Sequence, residues 1–192
     1  MHVQLFSTNK TETDMANVKW AVDPTHSEVQ FKVKHLMITT VTGYFNTFHV
    51  EAESEDEQFN GAHNIVFKAD VNSISTNNEQ RDTHLKSPDF FDASTHEQIR
   101  FVGTKYEETS DGSAKLHGDL TIRGTTKPVT VDVEYHGTVV DPYGQTKAGF
   151  TIDCKISRRA FGLTWDAVTE AGSVVVSDDI RLHAEVQLVK QS

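Results

Sequence analysis

The sequence has a single cysteine, Cys154, only four prolines and no long apolar run in its 192 residues. One cysteine excludes an internal disulfide framework and a four-cysteine zinc site. No segment approaches the roughly 18 apolar residues of a membrane-spanning helix, so we expect no integral membrane segment. Basic residues are also few: 18 Lys and Arg stand against 28 Asp and Glu, a formal net charge of −10. This charge argues against nucleic acid as a partner and against a polybasic membrane patch.

Sequence signatures of the common enzyme classes are missing as well. The chain contains no P-loop, no G-x-S-x-G elbow and no C-x-x-C pair. His96-Glu97 begins an H-E-x-x-H zinc motif, but Arg100 stands where the second histidine is required. These absences remove the strong sequence signals for an enzyme without excluding one, and we expect a non-catalytic protein without a cofactor.

The first 17 residues are polar and lack the apolar segment of a secretory signal peptide. We expect residues 1–17 to be a disordered tail, because termini without apolar anchors usually are. Residues 18–192 show no internal repeat and no change of composition, which indicates one domain. The missing signal predicts a cytoplasmic protein, or a periplasmic one if the chain is a processed form. Met1 and Met15 are both candidate start residues.

Six segments after Trp20 alternate apolar and polar residues, the pattern of strands with one buried face and one wet face. Their apolar positions are Val29, Phe31 and Val33; Ile65, Phe67, Ala69 and Val71; Leu116, Gly118, Leu120 and Ile122; Val129, Val131, Val133 and Tyr135; Ala148, Phe150, Ile152, Cys154 and Ile156; and Ile180, Leu182, Ala184, Val186 and Leu188. Turn signals separate the segments at Asp111-Gly112, Arg123-Gly124 with Lys127-Pro128, and Asp141 to Gly144. Half-buried strands joined by short turns predict an antiparallel barrel or sandwich.

Residues 76–93 do not follow this alternation. Thr76 and Glu79 have the spacing of a capping box, and Ser87-Pro88 is typical of a helix N-cap followed by proline. We predict one or two short helices here, closing one end of the barrel. The irregular stretch from Trp165 to Ser173 is a second candidate for a short helix.

Four short motifs occur in a fixed order along the chain. They are Trp20-x-Val22-Asp23-Pro24-x-His26-Ser27, Thr76-x4-Arg81-Asp82-x-His84-Leu85, Gly118-x-Leu120-Thr121-Ile122-Arg123-Gly124 and Arg158-x-x-Phe161-Gly162-Leu163. In this order and spacing the sequence resembles the YceI-like family of polyisoprenoid-binding proteins, over roughly residues 18–189. The resemblance implies an all-β fold, a single extended antiparallel eight-stranded lipocalin-like barrel. It also implies a non-catalytic carrier whose apolar tunnel holds a long isoprenoid lipid, a polyprenyl or quinone tail, in isoprenoid metabolism or stress response.

An apolar inner face is the expected ligand site, because each buried methylene of a lipid tail gains about 0.8 kcal/mol. Small inward residues such as Gly118 and Ala184 are expected to leave room for it. The predicted tunnel lining is Val29, Phe31, Val33, Phe45, Phe67, Ala69, Phe90, Phe91, Leu116, Gly118, Leu120, Phe150, Ile152, Phe161, Leu182 and Ala184. The candidates for the head group at the mouth are His35, Arg81, His84 and Arg158.

Two other functions stay open at this point. His26, His84 and Asp82 could form the site of a metal-dependent hydrolase or isomerase, although turn and cap hydrogen bonds explain these residues equally well. An interaction module with a basic partner would also fit the charge of −10. Cys154 is interpreted as a small buried hydrophobic residue. The lipid's identity, its chain length and a homodimer are left open by the sequence.

Overall fold

The computed structural model describes residues 17–110, 112–167 and 174–192. Within these residues, strands account for most of the chain. They are β1 Val18–Val22, β2 Glu28–His35, β3 Thr39–Phe45, β4 Phe48–Ser54, β5 His63–Asp70, β6 Ile74–Ser75, β7 Gln98–Ser110, β8 Ser113–Ile122, β9 Thr125–Val140, β10 Thr146–Ser157 and β11 Val176–Lys190. The described helices are α1 Glu79–Lys86 and 3-10 turns at Pro24–His26, Val71–Ser73 and Arg159–Phe161. None of them has the length and apolar character needed to cross a membrane.

The strands form a closed antiparallel barrel, as predicted. β4, β5, β7, β8, β9, β10 and β11 follow one another around the barrel, with β1 between β4 and β11. Near the C-terminal end of β11, Val22 of β1 pairs with Leu188. Nearer its N-terminal end, Phe31 of β2 pairs with Leu182 of the same strand. β1 and β2 are thus two parts of one barrel strand, as are β3 and β4, and β5 and β6. Counted in this way, the barrel has eight strands.

The alternating segments lie in β2, β5, β8, β9, β10 and β11, so their strand prediction is confirmed. Val71 is the exception, because it lies just after β5 in a 3-10 turn. Arg123 and Gly124, with φ of 48° and 71°, make the two-residue turn between β8 and β9.

Pro128 was predicted to help break the chain, and this is wrong. It lies inside β9 and opposite Asp119 of β8. Pairing of β9 with β10 begins only at Asp132. At Pro128 there is therefore no hydrogen bond to β10 that the missing N–H would remove.

The helix prediction for residues 76–93 is correct in its first half and wrong in its second. α1 begins after Asn78, whose side chain accepts from the Arg81 N–H at 2.9 Å, so Asn78 and not Thr76 is the N-cap. Ser87 ends α1 instead of starting a second helix, and its hydroxyl donates to the His84 carbonyl at 2.7 Å. After Ser87 the Phe90 N–H donates to the Ser87 carbonyl at 3.0 Å and closes a turn. Residues 88–95 therefore form turns instead of a second helix. Residues 165–167 are irregular, and the rest of the second candidate helix, 168–173, lies outside the described residues. So does the predicted tail, except for Asn17.

One end of the barrel is filled by five aromatic side chains, here called the aromatic plug. Phe59, from the loop between β4 and β5, packs at its centre, with ring centroids 4.6 Å from Phe150 and 5.7 Å from Trp20. Tyr106 and Tyr135 complete the set, each 6.3 Å from Phe59. The Trp20 indole donates to the Ser54 hydroxyl at 2.8 Å, which satisfies its buried N–H. We call this end, where β4 meets β5 and β9 meets β10, the closed end.

Two inward glycines do not leave empty space, contrary to the prediction for Gly118. A Cβ at Gly118 would lie 2.4 Å from a ring carbon of Phe101 on the neighbouring strand. A Cβ at Gly43 would lie 2.3 Å from the ring of Phe31 in the same way. In both cases an aromatic ring covers the glycine, so glycine is required for close packing and a larger residue at 118 would disrupt the barrel wall.

Arg158 joins the elements around the opposite end, which we call the mouth. The residue is 2% exposed. Its guanidinium donates to the carbonyls of Leu163 at 2.6 Å, Trp165 at 2.7 Å and Ser177 at 2.9 Å, and to Val176 at 3.1 Å. The planar fork therefore connects the segment after β10 to the start of β11, and the many charge-assisted bonds compensate its burial.

We expect Arg158→Met to lower the free energy of unfolding by about 3–5 kcal/mol, because one buried and three partly buried carbonyls lose their donor. Arg159→Met is the matched control. Within the described residues its exposed guanidinium pairs with Asp166, and its loss is expected to cost less than about 1 kcal/mol. Urea denaturation of both variants measures the difference. Equal destabilisation would contradict the assigned role of Arg158.

Burial in the aromatic plug, together with the charge of Glu108, raises the pKa of Tyr106 from 10.0 to about 12. The folded protein then keeps this proton between pH 10 and 12 while the unfolded chain releases it. Stability is therefore fully present below pH 10 and falls as the pH rises towards 12. Ultraviolet titration should show a last tyrosine ionisation step near pH 12, and Tyr106→Phe should remove that step. A last step that persists in the variant would rule out this assignment.

Candidate functional site

An apolar cavity of about 150 Å³ lies inside the barrel; we call it the inner cavity. Nine of the predicted tunnel residues line it: Val29, Phe45, Phe67, Ala69, Leu116, Leu120, Ile152, Leu182 and Ala184. They come from β2, β3, β5, β8, β10 and β11. The period of two in these strands points them inward, and barrel closure brings them together.

Sequence reasoning missed several other residues of the inner wall. Ile65, Ile122, Val129, Val131, Cys154 and Val186 also line it, and all six belong to the alternating apolar faces already identified. Their strand pattern was a sufficient signal. Val50, Ile99 and Phe101 line it too, but they lie in β4 and β7, where no clear alternation marked a strand.

A second cavity, of about 200 Å³, lies at the mouth between α1 and the β2–β3 hairpin; we call it the outer cavity. Predicted tunnel residues Phe31, Val33 and Phe90 contribute to its wall. Predicted head-group candidates His35, Arg81 and His84 border the same space. The remaining wall consists of Lys34, Val41, Thr76, Leu85, Trp165, Val175 and Val176. Apolar and polar groups thus share this cavity, whereas the inner cavity has His183 as its one polar lining residue among those that the structure describes.

Two phenylalanines lie between the two cavities, and a third packs behind them. Phe31, on the outer wall, packs against Phe45, on the inner wall, with ring centroids 5.7 Å apart. Phe91 meets the other side of Phe45 edge-on at 6.2 Å. Phe91 was predicted to line the tunnel; it packs against the core behind Phe45 and borders neither cavity.

Thr76 holds the polar side of the outer cavity in place. Its N–H and its hydroxyl both donate to Oδ1 of Asp82, at 2.8 and 2.5 Å. Arg81 donates through Nε to the same hydroxyl at 2.7 Å and through Nη2 to the Thr76 carbonyl at 2.9 Å. The start of α1 is therefore fixed to the loop before it, with the exposed Arg81 side chain at the cavity rim.

His84 is packed between two aromatic rings at the other side of the outer cavity. Its imidazole lies edge-on to Phe90 and to Trp165, each with centroids 5.0 Å away. Nε2 is 3.1 Å from a carboxylate oxygen of Asp89. Because the ring is held by these contacts and remains partly exposed, it can present a hydrogen-bonding edge to a molecule in the cavity.

Four further predicted residues are away from both cavities. Gly118 is covered by Phe101, and Phe150 belongs to the aromatic plug. Phe161 is buried in the core below the 3-10 turn at Arg159–Phe161. Arg158 was predicted as a head-group contact. This is wrong, because its guanidinium is buried and bonded to backbone carbonyls.

The alternative metal site is not assembled. His26 pairs with Asp23 at 2.9 Å on the 3-10 turn after β1, whereas His84 pairs with Asp89 at the mouth. Asp82 is occupied by Thr76. Across the described residues, no three His, Cys, Asp or Glu side chains lie close enough together to hold a metal ion.

Cys154 lines the inner cavity, with its sulfur 3.7 Å from the carbonyl oxygen of Thr130. Burial, with a contribution from the nearby Asp132 charge, raises the pKa of its thiol. The group therefore stays protonated at neutral pH and behaves as a small apolar residue in contact with the cavity.

Comparison with known proteins agrees with the barrel. A family model described as YceI-like domain matches residues 20–188. A Staphylococcus epidermidis protein named UPF0312 is 34% identical over 172 residues, covering 88% of this chain and 96% of the relative. The crystal structure of a Campylobacter jejuni YCEI protein is similar with a TM-score of 0.72 and 28% identity, covering 99% of this chain and 100% of that one.

A third similar protein is a polyisoprenoid binding domain from Saccharophagus degradans. Its TM-score is 0.66 and its identity 14%, with 90% of this chain and 98% of that chain covered, which shows a common fold alone. The family model, by contrast, spans the described barrel from β1 to β11. The chain therefore belongs to the YceI-like family.

Proposed function

We propose that this protein binds a long isoprenoid lipid and carries it without changing it chemically. The inner cavity is the observation that carries the proposal: its wall is apolar and drawn from strands all around the barrel. Such a wall favours a hydrocarbon chain and offers a polar substrate little to bind. The polyisoprenoid-binding domain that shares this fold supports an isoprenoid over other apolar chains.

A long tail needs more room than the inner cavity of about 150 Å³ holds. Sites for drug-sized ligands usually measure about 300–1,000 Å³. In our proposal the tail therefore occupies both cavities, and Phe31 and Phe45 turn aside to join them. Each methylene that the tail buries contributes about 0.8 kcal/mol, so a few isoprene units outweigh the cost of moving two rings.

The polar head is proposed to stay in the outer cavity, beside His35, Arg81 and His84. Two of the five N–H groups of Arg81 bond to Thr76, which leaves donors for a head-group oxygen. His84 adds a partly exposed imidazole edge. A quinone carbonyl and a phosphate oxygen both accept such bonds, so either head group suits the site.

The absence of catalysis is also part of the proposal. Asp82 belonged to the alternative metal site, but its Oδ1 accepts two hydrogen bonds from Thr76. The Cys154 thiol in the inner cavity has a raised pKa, which disfavours the nucleophilic thiolate. A carrier or store of lipid requires neither group to react. Its location in the cytoplasm stays a prediction.

Organic extraction of the natively purified protein, followed by mass spectrometry, tests the proposal. We expect a prenyl lipid at close to one molecule per chain. An empty extract that stays empty after incubation with polyprenyl lipids and quinones would contradict the carrier function.

Ala184→Trp should block binding, because Ala184 is flanked by Val29 and Ile152 and an indole there enters the inner cavity. Lipid occupancy should fall about tenfold or more, since displacing two methylene groups already costs more than about 1.4 kcal/mol. Glu185→Trp, on the outer face of the same strand, is the control and should keep full occupancy. Circular dichroism and urea denaturation show whether both fold. Full occupancy in a folded Ala184→Trp protein would place the tail elsewhere.

Cys154 provides a direct probe of the inner cavity, because it is the chain's one cysteine. Its alkylation by a small apolar maleimide, followed at mildly alkaline pH, should slow several-fold when a polyprenyl lipid or long-chain quinone is added. A short-chain quinone, which fits the outer cavity alone, should leave the rate nearly unchanged. If the long-chain lipid binds and the rate does not change, the tail does not reach the inner cavity.

A further inference from the structure

The tip of the β2–β3 hairpin exposes large apolar side chains to solvent. Met37 is 62% exposed and Ile38 79%. Leu36 and Met37 also have positive φ angles of 50° and 60°. Non-glycine residues pay of order 1 kcal/mol or more for this conformation, and turns that require it normally use Gly, Asn or Asp. Neither the packing nor the turn geometry explains apolar residues at this position.

This tip forms part of the rim of the outer cavity. His35 and Val33, just before the tip, and Val41, just after it, line that cavity. The Leu36 N–H donates to the Val175 carbonyl at 2.8 Å, and Val175 lines the same cavity. Whatever contacts Met37 and Ile38 therefore lies next to the opening.

Basic side chains lie on the outer face of two neighbouring strands next to the tip. Lys32 and Lys34 are exposed on β2, and Arg181 of β11 is exposed directly opposite Lys32. Lys34 is the second-to-last residue of β2 and lies three residues before Met37 in the sequence. The nearest exposed carboxylate on β11, Asp179, is paired with Lys155 at 2.6 Å. We call Lys32, Lys34 and Arg181 the basic band.

Acidic residues are absent from this part of the sequence. Residues 29–50, which contain the whole hairpin, have no Asp or Glu. Residues 51–60, at the closed end of the same barrel strand, contain five Asp and Glu and no Lys or Arg. The charge of the whole chain argues against a polybasic membrane patch, but the hairpin carries none of the acidic residues and can approach an anionic surface by its own side of the mouth. On the other side of the mouth, residues 79–97 contain five Asp and Glu and two Lys and Arg.

We propose that the β2–β3 hairpin docks the mouth of the barrel on an anionic phospholipid bilayer. Met37 and Ile38 insert at the boundary between head groups and acyl chains, and the basic band contacts lipid phosphates. When an apolar tip inserts by about 5–10 Å, cations on the strand just before it come close to the lipid phosphates. The outer cavity then opens next to the bilayer.

Vesicle flotation measures this docking without any bound isoprenoid, so its result is independent of the proposed function. The probe is vesicles of phosphatidylcholine containing about one quarter phosphatidylglycerol, at low salt. Met37→Ser with Ile38→Ser should reduce the bound fraction about tenfold, because two apolar side chains no longer insert. Lys32→Gln with Lys34→Gln should bind less to these vesicles and like wild type to phosphatidylcholine alone.

The matched control uses a pair of exposed apolar residues at the closed end. Val139 and Val140 end β9 at the closed end and are each 66% exposed. The cation opposite them, Lys147, is held by Asp23 at 3.1 Å and Asp141 at 3.4 Å. Val139→Ser with Val140→Ser removes similar exposed apolar surface where no basic band exists. Vesicle binding should stay within about twofold of wild type, because this end carries acidic loops.

A fluorescent label reports which tip inserts. Ile38→Cys and Val140→Cys, each with Cys154→Ser, carry one environment-sensitive dye per chain. Vesicles should shift the emission of the label at 38 to the blue and leave the label at 140 unchanged.

Three outcomes would overturn the proposal. Wild-type protein could fail to float with vesicles, or both serine variants could lose binding equally. In the third, sedimentation without vesicles could show a dimer that Met37→Ser with Ile38→Ser dissociates, which would make a second copy of the chain the occupant of this tip.

Discussion

Closure of the sheet along β11 is the constraint on which the rest of the structure depends. This long strand pairs with β10 on one side and with both β1 and β2 on the other. Once the sheet is closed, every second residue must face a common interior, and that interior excludes water only if those residues are apolar. The aromatic plug and the inner cavity are two results of filling this interior. Large rings fill the closed end, while Ala69 and Ala184 leave space nearer the middle.

The sequence pattern predicted the barrel well because a period of two is a local signal that survives in each strand. Leu182 and Ala184, for example, point inward in the structure as their alternation requires. Contacts between distant strands could not be predicted in this way. The sequence predicted open space at Gly118, but in the structure the ring of Phe101, from the neighbouring strand, covers this glycine. Likewise, the sequence could not predict that Arg158 is buried, because its four carbonyl partners come from segments that only the fold brings together.

The mouth was predicted less completely for a related reason. His35, Arg81 and His84 do border one cavity, although they come from β2 and α1. The sequence could not show that Thr76 donates to Asp82 and accepts from Arg81. These hydrogen bonds hold the start of α1 in place and leave only part of the Arg81 guanidinium for a ligand. The Phe31–Phe45 contact could not be foreseen either, because it depends on the ring positions of neighbouring strands. Side-chain placement across strands, and not strand identity, was the missing information.

The aromatic plug has a consequence for the order of events in loading. A tube that is sealed at one end has a single entrance, so a linear guest enters by one terminus and must withdraw by reversing the same path. Phe59, Phe150 and Trp20 make that seal from the β4–β5 loop, β10 and β1. A second guest cannot push the first one through. Exchange should therefore be dissociative, with a rate that is independent of the concentration of the incoming molecule.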